Sequence, residues 1–156
     1  MQESIVPIYV VQKHAASTLH YDFRLEIGNT LKSWVLPKGP TLDPHVKRLA
    51  IQTSDHDLAF ADFEGIIPEG QYGAGKIIIW DKGEFRNETY EGKELVPLDE
   101  ALKEGKITFS LKGQKLNGMF TLLKIEGEKN WLLIKHKDKY AKENYDITKE
   151  MPASIE

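Results

Sequence analysis

Apolar and polar residues alternate along much of this chain with a period of two, which is the period of a β-strand. The alternation is clearest at residues 19–27, where every odd-numbered residue is apolar. The even-numbered residues of the same segment are His20, Asp22, Arg24 and Glu26. The pattern predicts a strand with one buried face, and the Gly28-Asn29 pair that follows is typical of a hairpin turn.

The same alternation recurs elsewhere, so we expect a mainly β fold of about eight strands with one or two short helices. The predicted strands are 5–12, 19–27, 31–36, 48–53, 76–81, 106–112, 119–125 and 131–136. The clearest helix is predicted at 98–104, with Asp99 as its cap and Gly105 at its end. Many short strands in one domain favour an antiparallel barrel or a sandwich, because both protect sheet edges.

Length and composition restrict the kinds of site that the chain can build. Its 156 residues suit one domain, which we place at 1–136, with the charged residues 137–156 as a loosely attached tail. The absence of cysteine excludes disulfides, thiolate zinc sites and cysteine nucleophiles, so a metal must bind His nitrogen and carboxylate oxygen. No run approaches the roughly 18 apolar residues of a membrane span, and no signal peptide is evident. We therefore expect a cytoplasmic protein with no membrane partner.

The strand at 19–27 carries the strongest candidate chemistry. His20, Asp22 and Arg24 project from one face, successive members about 6.6 Å apart. His14 precedes a short turn that lets the preceding strand place a second imidazole beside His20. Two imidazoles and one carboxylate form a three-ligand site with open positions for Mn²⁺, Fe²⁺ or Zn²⁺. Arg24 adds a planar fork of donors that fits a phosphate.

Sequence pattern alone leaves several alternatives open. This face of the strand is simply solvated in many antiparallel sheets. A cupin-type Fe(II) oxygenase also uses a β-barrel with His-x-Asp and a distant histidine. A non-catalytic nucleic-acid-binding barrel would use Trp34 and Tyr72 as stacking rings. The segment 70–76 nearly fits a phosphate-binding P-loop, but Ile77 stands where that motif needs Ser or Thr, so we reject it.

Three further basic positions are candidates for phosphate contacts. His56 lies between Asp55 and Asp57, two carboxylates that should raise its pKa, and we expect it to bind phosphate or transfer a proton. Lys38 and Arg48 flank the loop 39–47 and are expected to supply further contacts.

Several motifs together resemble one known family. They are Val10-Val11-Gln12-Lys13-His14, Leu19-His20-Tyr21-Asp22-Phe23-Arg24-Leu25-Glu26, Lys32-Ser33-Trp34, Pro37-Lys38-Gly39-Pro40, Lys47-Arg48-Leu49-Ala50, Phe63-Glu64-Gly65, the segment 67–75 and the segment 130–136. On these residues the chain resembles the 3′-phosphoesterase family, best known as the amino-terminal module of bacterial DNA ligase D in end joining. The resemblance extends over most of the chain.

This resemblance implies a compact β-barrel and Mn²⁺-dependent removal of 3′-terminal ribonucleosides and 3′-phosphates, with Co²⁺ or Zn²⁺ as other candidate ions. It implies DNA or RNA–DNA 3′ ends as substrates and, for a stand-alone form, a separate DNA ligase and polymerase as partners. By position, the implied metal ligands are His14, His20 and Asp22. Arg24 and His56 are implied to hold the scissile phosphate, and Gln12, Ser33, Lys38 and Arg48 to support the site.

The chain departs from the family pattern around His56. The family usually has a proline directly after this histidine and a tyrosine four residues after it, whereas this chain has Asp57 and Phe60. Phe60 lacks the tyrosine hydroxyl. Because a phosphomonoester carries more negative charge than a diester, we expect 3′-phosphate removal to be weak and ribonucleoside removal to be retained.

Overall fold

The computed structural model describes residues 6–150, and this part of the chain forms eleven β-strands and one α-helix. The strands are β1 (Ile8–Ala15), β2 (Leu19–Ile27), β3 (Thr30–Leu36), β4 (Lys47–His56), β5 (Gly65–Ile67), β6 (Gly75–Asn87), β7 (Tyr90–Glu91), β8 (Glu94–Leu95), β9 (Lys106–Gly113), β10 (Asn117–Lys124) and β11 (Asn130–Lys135). The helix α1 is Leu98–Glu104, and 3₁₀ turns form at Leu58–Asp62 and Ile147–Lys149.

Eight of the strands close into an antiparallel barrel. Their order is β1-β2-β3-β4-β11-β10-β9-β6, and β6 pairs back with β1. β5 adds to the first residues of β6, and β7 and β8 form a separate small hairpin. The predicted mainly β fold and barrel are therefore confirmed, and the sandwich alternative is wrong because the sheet closes on itself.

The barrel interior holds the apolar residues that alternation predicted to be buried. Phe23 of β2 packs 6.1 Å from Phe109, which stacks on Phe120 at 6.0 Å between ring centroids. Trp34 and Trp131 meet edge to face at 5.7 Å, and both are fully buried. Because successive side chains of a strand point to opposite faces, filling the barrel with odd-numbered residues of β2 sends its even-numbered residues to the outside.

Several strand boundaries differ from the predicted ones. β4 continues to His56, which we expected to follow the strand, and β6 runs to Asn87. The strands β5, β7 and β8 were not predicted because two or three residues are too few to show a period. Residue 5, with which the first predicted strand began, lies outside the described residues, and β1 begins at Ile8.

The predicted helix forms at Leu98–Glu104, but its cap differs. Pro97 occupies the N-cap position, with no side-chain cap hydrogen bond, and Asp99 lies within the first turn. The expected Asp99 cap is therefore wrong, although its charge suits the positive end of the helix. Gly105 ends the helix as predicted, in the left-handed conformation with φ of 82°. No helix within residues 6–150 has the length and apolar character needed to cross a membrane.

The segment that follows β11 touches the barrel at several points as far as residue 150. The amide of Lys142 donates to the Leu42 carbonyl at 2.8 Å, and that of Asn144 donates to Asp43 Oδ2 at 2.9 Å. Tyr145 and Ile147 pack against the main core. These contacts differ from the loose attachment expected for residues 137–156, and the division of the chain at residue 136 stays a prediction.

A β-bulge in β6 places a buried carboxylate at one end of the barrel. Val11 pairs with Asp81 while Gln12 pairs with Ile79, so β6 has one extra residue there and Asp81 turns inward. Asp81 is fully buried and accepts hydrogen bonds from the Tyr9 hydroxyl and from the amides of residues 114–116. Burial, followed by the charge of Asp81, raises the pKa of Tyr9 far above its usual value. This carboxylate therefore ties β1, β6 and the turn between β9 and β10 together.

We expect Asp81→Ala to lower the free energy of unfolding by about 3 kcal/mol, because buried donors would lose their acceptor at roughly 1–3 kcal/mol each. Asp62→Ala, which removes an exposed partner of Lys82, should cost less than about 1 kcal/mol. Urea unfolding followed by circular dichroism measures both. Equal, small losses in the two variants would contradict this account of Asp81.

Candidate metal centre and active site

The candidate site lies on the outer face of the barrel, across β1, β2 and β3. Pairing places His14 opposite His20, Gln12 opposite Asp22, and Arg24 opposite Ser33. Since the odd-numbered residues of β1 and β2 fill the core, the even-numbered side chains of these two strands point away from it, and Ser33 faces the same way because it pairs with Arg24. The three residues that alternation predicted for one face of β2 therefore share a surface with side chains from the two neighbouring strands.

His56 reaches this surface because β4 contains a bulge. Ser33 pairs with Thr53, but Leu31, two residues earlier in β3, pairs with His56 rather than residue 55. One extra residue in β4 reverses which side chains face outward, so His56 lies on the same face as Thr53. Sequence alternation cannot reveal this change of face.

A pocket of about 540 Å³ covers these residues, within the size range of small-molecule sites. The 3₁₀ segment Leu58–Asp62 and the glycine-rich turn 70–75 form part of its wall. The polar side chains that line it include His14, His20, Asp22, Arg24 and His56. The apolar ones include Val35, Phe60, Ile67, Tyr72 and Ile77. The pocket therefore has polar, ionisable groups and an apolar wall in one cavity.

His14, His20 and Asp22 form a group that fits a metal ion. One ligand atom from each lies within 4.8 Å of the others. Asp22 stands between the imidazoles, with Oδ2 3.4 Å from His14 Nδ1 and Oδ1 3.3 Å from His20 Nε2. Two imidazole nitrogens and a carboxylate oxygen are a donor set that suits Mn²⁺, Co²⁺ or Zn²⁺ and leaves positions for a substrate.

Backbone carbonyls fix the proton position of both imidazoles. His14 Nε2 lies 3.2 Å from the Ala74 carbonyl, and His20 Nδ1 lies 3.2 Å from the Thr18 carbonyl. A carbonyl only accepts, so each of these nitrogens carries the proton of the neutral ring. In the neutral rings, His14 Nδ1 and His20 Nε2 are then the nitrogens available to a metal, whereas a protonated His20 donates from Nε2 to Asp22. Outer hydrogen bonds of this kind commonly orient metal-binding histidines, and sequence reasoning missed them because backbone atoms give no sequence signal.

Electrostatics keep the Asp22 carboxylate ionised. Burial alone would raise its pKa, but the hydrogen bond to His20 and the charge of Arg24 outweigh burial and lower it. The same hydrogen bond raises the pKa of His20, against the opposing effect of its own burial. Because a metal ligand must be unprotonated, a proton on His20 would compete with an ion for this site.

Four polar side chains contact the guanidinium of Arg24, which is almost fully buried. Its Nε donates to Gln12 Oε1 at 2.6 Å, and one terminal nitrogen donates to Ser33 Oγ at 2.8 Å. The same terminal nitrogen lies 3.1 Å from His56 Nδ1, and the other lies 3.5 Å from Asp22 Oδ2. Burial lowers the pKa of Arg24, although an arginine remains charged at neutral pH.

Gln12 connects this arginine to the wall of the pocket. While its Oε1 accepts from Arg24, its Nε2 donates to the carbonyls of Phe60 and Phe63 at 2.8 and 3.2 Å. The Arg24 guanidinium carbon also lies 4.9 Å from the centroid of the Phe60 ring. Gln12 and Ser33 therefore hold Arg24 in one orientation.

His56 contacts Arg24 and the backbone through the same nitrogen. Its Nδ1 lies 3.1 Å from Arg24 and 3.0 Å from the Ser54 carbonyl. The contact with Arg24 requires the proton of a neutral ring on Nε2, whereas the carbonyl requires it on Nδ1. Nε2 is a donor in the first state and an acceptor in the second, which suits a group that moves a proton.

The expectation that neighbouring carboxylates raise the pKa of His56 is wrong. Burial, followed by the charge of Arg24, lowers this pKa, and the charge of Asp55 opposes them only weakly. Asp55 instead pairs with Lys32 at 2.7 Å. His56 is consequently a neutral imidazole at neutral pH.

The structure does not bring every candidate residue into the pocket. Lys38 is exposed in the turn after β3, and neither Lys38 nor Arg48 lines the pocket. Arg48 lies eight residues before His56 in β4, about 26 Å away along a strand. Their predicted support of the site stays a prediction. Trp34 is buried against Trp131, so its suggested role as a stacking ring is wrong.

Comparison with known proteins gives one consistent result. The family model for the DNA ligase D 3′-phosphoesterase domain matches residues 12–124. The multifunctional non-homologous end joining protein LigD of Pseudomonas aeruginosa is 50% identical over 155 residues, covering 94% of this chain and 17% of that protein. The corresponding proteins of Mycobacterium tuberculosis and Mycolicibacterium smegmatis are each 40% identical, covering 80% and 83% of this chain.

This chain spans less than a fifth of the length of these three relatives, 15–17% of each. The matched residues 12–124 include the three candidate metal ligands, Arg24 and His56. The chain belongs to the DNA ligase D 3′-phosphoesterase domain family.

Proposed function

We propose that this protein is a metal-dependent 3′-phosphoesterase, a hydrolase of phosphate esters that prepares DNA ends for non-homologous end joining. It removes 3′-terminal ribonucleosides and acts weakly on 3′-phosphates. The observation that carries the proposal is the position of Arg24, whose guanidinium lies 3.5 Å from the carboxylate of the His14, His20 and Asp22 group. A buried cation beside a metal site is favourable when an anion binds between them.

The proposed metal is Mn²⁺, with Co²⁺ or Zn²⁺ as alternatives, held by His14, His20 and Asp22. When bound, such an ion polarises a phosphoryl oxygen as a Lewis acid. The orientation of the two imidazoles supports this assignment, because each ring turns one nitrogen toward a backbone carbonyl and the other toward Asp22.

Arg24 has a donor left for the substrate. Of its five N–H groups, one is directed to Gln12, and the two on one terminal nitrogen face Ser33 and His56. The remaining nitrogen, on the Asp22 side, points its donors toward the candidate metal centre. This nitrogen binds a non-bridging oxygen of the scissile phosphate and neutralises charge that develops there. His56 stabilises the same charge or moves a proton, with water as the nucleophile in the monoesterase step.

Two rival functions fit the site less well. A cupin-type Fe(II) oxygenase needs the ligands but gives no role to a buried arginine held by Gln12, Ser33 and His56. A non-catalytic nucleic-acid-binding barrel leaves the converging imidazoles and carboxylate without a purpose. Membership of the 3′-phosphoesterase domain family also favours phosphate ester hydrolysis.

The relatives are multifunctional non-homologous end joining proteins, which supports a substrate and partners in DNA end joining. We propose DNA or RNA–DNA 3′ ends as substrates and a DNA ligase and polymerase as partners. The site of action would be the cytoplasm.

A DNA primer ending in one ribonucleotide tests the proposed reaction and the metal together. We expect the primer to lose its terminal ribonucleoside in Mn²⁺, equally with and without oxygen, and to remain intact in EDTA. Denaturing gels resolve the products in Mn²⁺, Co²⁺, Zn²⁺ and Mg²⁺. An intact primer under all conditions would refute the proposal, and a requirement for Fe²⁺ and oxygen would favour the oxygenase.

We expect His20→Ala to lower the rate of ribonucleoside removal by about a hundredfold or more at saturating Mn²⁺, because only three protein ligands hold the ion. His45→Ala is the matched control, since His45 is largely exposed and does not line the pocket. Its rate should equal that of the wild type. Near-wild-type turnover in His20→Ala would show that the metal assignment is wrong.

We expect Phe60→Tyr to raise the release of inorganic phosphate from a 3′-phosphate end. The Phe60 ring lies 4.8 Å from the His56 ring and 4.9 Å from the Arg24 guanidinium carbon, so a hydroxyl there adds a donor beside the phosphate position. A hydrogen bond to a charged group is worth about 1.5–3 kcal/mol, which corresponds to roughly ten- to a hundredfold. Malachite green assay of released phosphate measures the change.

Phe63→Tyr is the control for this substitution. Phe63 stacks on Phe60 at 4.9 Å but does not line the pocket, so its variant should leave phosphate release unchanged. Robust phosphate release by the wild-type protein, or no gain in Phe60→Tyr, would contradict the role assigned to the missing hydroxyl.

A further inference from the structure

Tyr72 presents an aromatic ring to solvent at the edge of the pocket. It is 81% exposed, and it lines the same cavity as Arg24 and His56. Tyr90 and Tyr140 are also exposed, but neither lines this cavity. A buried aromatic ring stabilises the fold by packing, whereas an exposed ring in a pocket is available to contact a ligand.

The turn that carries Tyr72 is fixed to the site. The amide of Ala74 donates to the Gln71 carbonyl at 3.1 Å, and Gly73 has φ of 77°, as a type II turn requires at its third residue. The Ala74 carbonyl accepts from His14 Nε2, one of the candidate metal ligands. Tyr72 is thus held two residues from a direct contact with the metal group.

Gly75 brings this turn close to β1. A Cβ at Gly75 would stand 2.2 Å from the Ala15 carbonyl oxygen, so a side chain at this position is excluded. The backbone of the turn therefore lies directly against the strand that carries His14, and this contact fixes the backbone from which Tyr72 projects.

Tyr72 differs from the other aromatic residues considered for this site. The Phe60 ring lies 4.9 Å from the Arg24 guanidinium carbon and stacks on Phe63 at 4.9 Å, so it is already packed against other side chains. Trp34 is fully buried in the core. Among the described residues that line the pocket, Tyr72 is the aromatic residue whose ring is largely open to a ligand.

We propose that the Tyr72 ring stacks on the base of the terminal nucleotide while its phosphate binds between the metal centre and Arg24. This inference rests on the proposed function and assigns the terminal base as the part of the substrate that contacts the apolar wall of the pocket. Tyr72 lines the same pocket as Arg24 and Asp22, which places the ring and the proposed phosphate position in one cavity. Because every base has a π-face, the contact tolerates any terminal base.

Steady-state kinetics of two variants test the stacking. Tyr72→Leu removes the aromatic face, and we expect it to raise KM about tenfold for primers ending in any of the four ribonucleotides, with kcat little changed. Tyr72→Phe keeps the face and should match the wild type. Tyr90→Leu removes an exposed tyrosine outside the pocket and serves as the control.

A primer ending in an abasic ribose makes the test specific for the base. The wild-type KM for this primer should be about tenfold higher than for the base-bearing one, and Tyr72→Leu should add no further increase. Equal KM values for wild type and Tyr72→Leu on base-bearing primers would overturn the inference alone. Equal impairment of Tyr72→Phe and Tyr72→Leu would overturn it in favour of a role for the hydroxyl. A wild-type protein that cleaves neither primer would instead refute the proposed function.

Discussion

The pairing of one buried carboxylate with three cationic or titratable groups is the interaction on which the site depends. Asp22 is 3.4 Å from His14, 3.3 Å from His20 and 3.5 Å from Arg24. Burying an ion without partners is costly, so removal of Asp22 would leave Arg24 as an uncompensated buried charge. With a divalent ion in place, positive charge in this group exceeds the single negative charge. An anionic phosphate would restore the balance, which supports the proposal of phosphate esters as substrates.

In this barrel, one face of β1 and β2 packs in the core and the other face carries the residues of the site. Core packing of the odd-numbered residues of β1 and β2 fixes the register that sets His14 beside His20. A slip of one residue would exchange the faces and disperse the ligands. The bulge in β4 then turns His56 onto the outer face beside Arg24. The core packing that stabilises the fold therefore also positions the residues of the site.

Alternation predicted most of this architecture, because a strand with one buried face leaves a period-two pattern in the sequence. It also predicted that His20, Asp22 and Arg24 share a face, and the short turn after His14 indicated its place beside His20. The features that could not be predicted depend on contacts distant in sequence or on backbone atoms. The carbonyls of Thr18 and Ala74 orient the imidazoles, and burial with Arg24 lowers the pKa of His56 against the effect of its neighbours. The sequence made Trp34 and Tyr72 equal candidates for a stacking ring. In the closed barrel Trp34 is buried in the core, whereas Tyr72 is exposed.

Titration of the purified protein with Mn²⁺, followed by the loss of the free-ion signal in electron paramagnetic resonance, tests the central claim most directly. The account predicts that one Mn²⁺ binds per wild-type chain and that pulsed measurements detect two imidazole nitrogens on the bound ion. Asp22→Asn keeps the shape of the side chain and should abolish this binding. No binding by the wild type, or the same stoichiometry and affinity in Asp22→Asn, would contradict a metal centre formed by His14, His20 and Asp22.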